Sequence, residues 1–292
     1  GHHHHAPADM GRAFAIGVGL NLAFVAVEAG FGLAVGSLAL VADAGHNLSD
    51  VLGLLLAWGA ATLARQPPSG RRTYGWRKSS VLAALANAVL LLVAVGAIAW
   101  EAIRRLQAPE PVEGGVVAAV AAVGILVNGA TALLFMRGQA HDLNVRGAFL
   151  HMVADALVSA GVVVAGLAVL WTGVLWIDPA VSLAVAAVIA VGTWGLLRES
   201  LDLSLDAAPR ATPMEDIRNY LLGLPGVTRV YDLHVWALST RETALTAHLV
   251  RPAGGDDALL AEVAQALQAR FGVGHATLQV EQDEAAACGG AC

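Results

Sequence analysis

Four stretches of this chain contain no Asp, Glu, Lys or Arg: Ser79–Trp100, Gly114–Met136, Ala156–Ile177 and Pro179–Leu197. Each runs to about 20 residues, and a helix of that length crosses the roughly 30 Å hydrocarbon core of a bilayer. Two further spans surround isolated polar residues: Ala13–Val35 with Glu28 inside it, and Leu38–Ala64 with Asp43, His46 and Asp50. That predicts six transmembrane helices with both chain ends on one side. Composition agrees: the chain is 57% hydrophobic and 14% charged, against about 25% charged in a soluble domain. An ordinary soluble enzyme and a disordered chain are both excluded.

Loop charges set the orientation. One set of connections carries Arg12, then Arg65, Arg71, Arg72, Arg77 and Lys78, then Arg137 and Arg146, then Arg198; the opposite set carries only Arg104 and Arg105. The first set, both termini and the C-terminal tail are therefore expected in the cytoplasm. The whole formal net charge of −6 falls from Arg198 onward. An acidic tail repels nucleic acid, so no such partner is expected; it is compatible with cations. The near-exclusive use of Arg over Lys points to a GC-rich bacterial genome, hence to an inner membrane. No signal-peptide pattern opens the chain, and Gly1–His5 is either a purification tag or a native His-rich head.

The tail reads as a small soluble domain. Pro213–Leu222 is a helix with Thr212 as its cap, Val227–Leu238 and Thr243–Val250 are paired strands, Asp256–Phe271 is an amphipathic helix, and Ala276–Glu281 is a last strand. The order αββαβ predicts an α+β, ferredoxin-like open-faced sandwich.

The chemistry sits in the spans, where an ionisable residue costs about 2.5–3.5 kcal/mol on insertion scales. His46 and Asp50 are spaced i, i+4, and Asp43 and Asn47 extend the same polar stripe. His151 and Asp155 repeat that spacing in the fifth span, with Ser159 one turn on. Two such helices side by side offer two imidazoles and two carboxylates, the four ligands of a tetrahedral Zn²⁺. These donors suit Zn²⁺, Co²⁺ or Cd²⁺ better than Cu⁺, and no Cys lies in any span. Interhelical hydrogen bonding explains one such residue but not two matched pairs. Haem has no use for the Asp, and the metalloprotease pattern His-Glu-x-x-His is absent. Glu28 with Asn21, and the single Asn87 and Asn128, read as helix–helix hydrogen bonds; Asp178 before Pro179 reads as the cap of the sixth span. His141, beside Asp142 in a short loop, reads as solvated.

The tail repeats the theme. His234 and His248 fall on neighbouring strands, His275 just before the third, and Glu281 at its end; Cys288 and Cys292 follow. Together they are candidate ligands of a second Zn²⁺. Two Cys this close to the end do not make a disulfide framework.

With these residues in hand, the chain resembles the cation diffusion facilitator family of zinc transporters, in its zinc-preferring branch. The resemblance rests on GSLALVADAGHNLSD (Gly36–Asp50), YGWRKSS (Tyr74–Ser80), LNVRGAFLHMVADALVS (Leu143–Ser159), DLHVWAL (Asp232–Leu238) and HATLQVE (His275–Glu281). It implies a homodimer, a transport site at His46, Asp50, His151 and Asp155, and cytoplasmic zinc ligands at His234, His248, His275 and, less closely matched, Glu281. Residues 13–205 would then form the membrane domain and 206–284 a metal-binding and dimerisation domain, between a head at 1–12 and a Cys-containing end at 285–292. The loop Gln66–Ser79 has no His, Asp, Glu or Cys, so no zinc site is expected there; its basic run is expected to meet lipid phosphates or tail acids such as Asp202 and Asp206. The expected function is Zn²⁺ export in exchange for protons, because metal takes neutral imidazole and ionised carboxylate and so displaces protons. The rival is a membrane zinc sensor that conducts nothing. No organic cofactor and no enzymatic base or nucleophile are expected.

Overall fold

A computed structural model of the chain describes residues 8–136 and 143–282; the side chains of residues 8–18, 134–136 and 143–152, and of a few positions in the second and fourth helices, fall outside that description. Gly1–His5, His141, Cys288, Cys292 and the side chain of His151 thus lie outside the described residues.

Six long helices come first: α1 (Ala8–Ala34), α2 (Leu38–Ala64), α3 (Ser79–Gln107), α4 (Gly114–Met136), α5 (Leu143–Thr172) and α6 (Ile177–Ser204). Their lengths, 23 to 30 residues, exceed a bilayer core. Segments of α3, α4, α5 and α6 are apolar enough to cross a membrane on composition alone. The helices α1 and α2 carry the polar residues noted above. A small α+β domain follows: α7 (Met214–Leu222), β1 (Arg229–Ala237), β2 (Thr243–Val250), α8 (Asp257–Phe271) and β3 (Val273–Glu281). The protein is therefore a multi-pass helical membrane protein with a C-terminal αββαβ domain.

By contacts the chain divides into two compact units, Gly1–Leu55 with Asn87–Gly195, and Leu56–Ala86 with Leu196–Cys292. The first has the polarity of a membrane bundle. Glu28, Asp43, Asn47, Asn128, Asp155 and Ser159 are buried, whereas Leu126, Leu157 and Val191 point outward. Lipid favours that arrangement, since outward apolar side chains cost nothing there and polar ones must find partners inside. Small residues let α4 and α5 pack closely: a Cβ on Gly166 would stand 2.7 Å from the amide nitrogen of Ala118.

One expectation is corrected here. Asp178 lies in the first turn of α6, but its carboxylate caps α2 instead. It accepts from the Ser37 hydroxyl at 2.5 Å and from the amides of Leu38 at 2.9 Å and Ala39 at 3.4 Å. The first N–H groups of any helix lack partners within it. A carboxylate brought in by another helix serves them as well as a local residue, and completes the dipole match.

In the second unit β1 and β2 pair antiparallel, and β2 and β3 parallel, in the order β1-β2-β3. One face packs on the helices through Ile217, Leu221, Leu245, Leu249, Val263 and Leu267. Asp256 caps α8 by accepting from the Leu259 amide, and Gly272, at φ +71°, ends it in the left-handed region. The chain enters β3 at once, so His275 lies inside the strand rather than before it. Thr212 does not cap α7; its own amide donates to the Pro209 carbonyl, and Pro213 holds the cap position without a side-chain bond.

The basic loop finds acids of the same unit. Lys78 pairs with Asp206, and Arg77 with Glu242 at 3.1 Å. Asp202 pairs instead with Arg210 at 3.5 Å. Beside these pairs Val81, Leu203 and Ala237 form a small buried cluster.

Candidate metal centre

The polar stripe of α2 meets α5 through one hydrogen bond that sets their relative height. The Ser159 hydroxyl donates to Asp43 Oδ2 at 2.9 Å. Asp155 lies one turn before Ser159, and His46 about one turn after Asp43. Antiparallel neighbours so aligned must bring Asp155 to His46. The distance from His46 Nε2 to Asp155 Oδ1 is 3.3 Å, and to Asp50 Oδ2 it is 3.8 Å. Candidate ligand atoms of His46, Asp50 and Asp155 all lie within 4.8 Å of one another. Among the described residues they are the one group of three or more His, Cys, Asp or Glu that meets this condition. Ligands about 2.1 Å from a tetrahedral ion stand roughly 3.4 Å apart, so these separations suit a small dication. Asp155 is buried, while His46 and Asp50 are half-buried. His151 lies on α5 one turn before Asp155; its side chain is outside the described set.

On the open face of the sheet, a second constellation is built around a residue that sequence reasoning missed. Asp232 sits in a bulge of β1, between the register pairs Tyr231–His248 and His234–Thr246, with φ +49°. An Asp in the left-handed region is unusual and marks a constrained site. Its carboxylate faces His234 Nε2 at 2.9 Å and His248 Nε2 at 3.6 Å. The other ring nitrogen of His248 faces Glu281 Oε1 at 2.9 Å. Glu281 also accepts from the Tyr231 hydroxyl at 2.5 Å and from Gln279 at 2.9 Å. Hydrogen bonds from Tyr231 and then His248 hold the Glu281 carboxyl below the usual carboxylate range, so it stays an anion as pH falls through mild acid. The only signal for Asp232 in the sequence was an acid two positions before a His.

His275 does not join this group within the chain. It pairs with Ala244, four positions from His248 along β2, roughly 13 Å at strand rise. Its ring stands edge-on to that of Tyr74 at 5.7 Å.

Six long helices, two of which share a cluster of His and Asp side chains at metal-ligand spacing, define a class: multi-pass membrane proteins with a candidate metal centre inside the bundle. Residues 14–203 match the cation efflux transmembrane domain, and residues 209–283 the cation efflux protein cytoplasmic domain. This chain belongs to the cation efflux family. It is 37% identical to the zinc transporter ZitB of Escherichia coli K12 over 281 residues, covering 95% of this chain and 90% of that one. It is 29% identical to the cadmium, cobalt and zinc/H⁺-K⁺ antiporter of Bacillus subtilis, covering 97% and 92%. Among solved structures, the metal-bound C-terminal domain of the CzcD transporter from Cuprividus metallidurans matches at 32% identity, covering 24% of this chain and 97% of that one, with a TM-score of 0.19.

Proposed function

We propose that this protein exports Zn²⁺ from the cytoplasm in exchange for protons, with Cd²⁺ and Co²⁺ as further substrates of the same donor set. The observation that carries the reading is the convergence of His46, Asp50 and Asp155 from α2 and α5 at tetrahedral ligand spacing. His151 supplies the fourth ligand by its place one turn before Asp155. Two carboxylates neutralise the dication, and two imidazoles favour Zn²⁺ over ions that prefer oxygen. Each ligand that binds metal must first be free of its proton, so loading on one side and protonation on the other exchange the two ions. The names borne by the relatives, a zinc transporter and a cadmium, cobalt and zinc/H⁺-K⁺ antiporter, support metal efflux with proton exchange.

The protein works as a homodimer in a bacterial inner membrane, with both termini and the acidic domain in the cytoplasm. We assign residues 13–205 to transport and 206–284 to zinc sensing and dimerisation. In the latter, His234, Asp232 and His248 would hold Zn²⁺. Glu281 keeps the proton of His248 on Nδ1 and leaves Nε2 for the metal, as carboxylates do behind metal-bound histidines. His275, Cys288 and Cys292 would complete the site only through contacts made beyond this group.

Reconstitution tests the transport reading. In proteoliposomes, a pH gradient acid on the side opposite the cytoplasmic domain should drive Zn²⁺ out, with protons moving inward. Zinc flux with no proton counter-flux overturns the exchange. For the cytoplasmic site, His248→Ala in the full chain should weaken zinc binding about 100-fold or more, since a group behind a ligand is already worth about 10–100-fold and here a ligand itself is lost. His275→Ala should cost less. Calorimetry on the two variants decides, and an equal loss in both would mean that His275 is an equal partner.

A further inference from the structure

The inward face of α4 carries Val117, Ala121, Gly124, Asn128 and Thr131, all buried. Thr131 satisfies itself, its hydroxyl donating to the Val127 carbonyl at 2.8 Å. Asn128 does not. It is wholly buried, and neither its amide nitrogen nor its amide oxygen has a hydrogen-bond partner among the described residues. The interhelical bond expected of it from the sequence is thus not made there. Buried polar groups nearly always find a partner, and one that does not costs stability. On a face that served packing alone, an apolar residue of the same size would be better placed.

The register of α4 against α5 gives this amide a neighbour. Gly166 meets Ala118, Val162 shares a buried cluster with Ala121, and a Cβ on Gly124 would stand 3.2 Å from the Ser159 hydroxyl oxygen. Each step of three or four residues along α4 is matched by a step of three or four back along α5. The next step sets Asn128 opposite Asp155, one turn on from Gly124 and one turn back from Ser159. Small residues hold the two helices close at these positions. Asp155 is the buried carboxylate of the metal trio, with Oδ1 3.3 Å from His46 Nε2.

We propose that Asn128 is a positioning residue of the metal centre, its amide N–H donating to the Asp155 carboxylate when that carboxylate holds the dication. The inference rests on the transport-site reading above and brings a third helix, α4, into the centre. A carboxylate that ligates a metal keeps further lone pairs, and a hydrogen bond to them fixes its angle. His46 Nε2 cannot serve both the ion and Asp155, so metal on that nitrogen ends its contact with Oδ1. Asn128 has no bond to give up among the described residues, and its N–H group takes over from the imidazole. The competing view is that the amide only fills space between α4 and α5.

The test uses the full-length protein in detergent, carrying His248→Ala so that the cytoplasmic site does not obscure the titration. Zinc chloride calorimetry and thermal unfolding are read together. Asn128→Leu, close in size and unable to hydrogen-bond, should raise the melting temperature measured without zinc. It should also weaken zinc binding about 10–100-fold, the range for a group behind a metal ligand. The same rise in melting temperature with unchanged zinc affinity means that the amide only fills space, and overturns the proposal. Asn128→Asp keeps the shape but sets a carboxylate beside Asp155 in place of a donor, so it should bind zinc more weakly. Binding as tight as with Asn128, or tighter, would put the oxygen on the ion and overturn the donor role. Should Asn128→Leu not fold, Asn128→Ala carries the same affinity test. Asp155→Ala separates the two readings. If that variant binds zinc normally, the transport-site reading fails; if it loses binding while Asn128→Leu keeps full affinity, only the role of Asn128 fails.

Discussion

Asp155→Ala should abolish metal transport while leaving the protein folded, and Asp50→Ala should do the same. Each removes one of the four ligands proposed above and half the negative charge that would make a dication tolerable inside a bilayer. Loss of a group behind a metal ligand costs about 10–100-fold in affinity; loss of a ligand itself should cost at least the upper end of that range. The two sites differ in surroundings. Asp155 is buried and 3.3 Å from His46 Nε2, whereas Asp50 is half-buried at 3.8 Å. We therefore expect Asp155→Asn, which keeps an oxygen but loses the charge, to remain inactive, and Asp50→Asn to retain a measurable fraction. Zinc uptake into inside-out vesicles, with detergent-extracted protein checked by size-exclusion chromatography, gives the answer. Normal uptake by either alanine variant would remove that residue from the site.

The convergence of His46, Asp50 and Asp155 was legible because helical spacing carries three-dimensional information. His46 with Asp50, and His151 with Asp155, each occupy one face of a span, and polar residues in lipid must converge. The six helices were legible for a related reason: uncharged runs of bilayer length admit few alternatives. What stayed hidden depended on contacts between distant segments. Asp178 stood at the head of α6, and local rules made it that helix's cap, yet its partners are 140 and 141 residues away. Asp232 looked like an ordinary strand residue, because a bulge is invisible until the register of two strands is known. Glu28 was read as a helix–helix hydrogen bond, which it makes to Asn47; nothing in α1 alone could show that α2 would supply the partner.

The misread cap carries the other large effect. Asp178→Ala should destabilise the protein by about 3 kcal/mol or more, since two good donors, the Ser37 hydroxyl and the Leu38 amide, would each lose a charged acceptor, at roughly 1.5–3 kcal/mol per bond. All the groups concerned are buried, so water cannot readily replace the carboxylate. Asp178→Asn keeps one acceptor oxygen and should lose about half as much. Ser37→Ala removes one donor together with its need for a partner. Its effect should therefore overlap with that of Asp178→Ala, and the double variant should be less destabilised than the two singles added. Function should follow stability. His46 lies two to three turns along α2 from this cap, so a fraying first turn loosens the helix that carries two of the three residues at the centre. Thermal unfolding in detergent measures the first effect, and zinc affinity by calorimetry the second. An Asp178→Ala protein that melts with the wild type would mean that α2 starts as well without its borrowed cap.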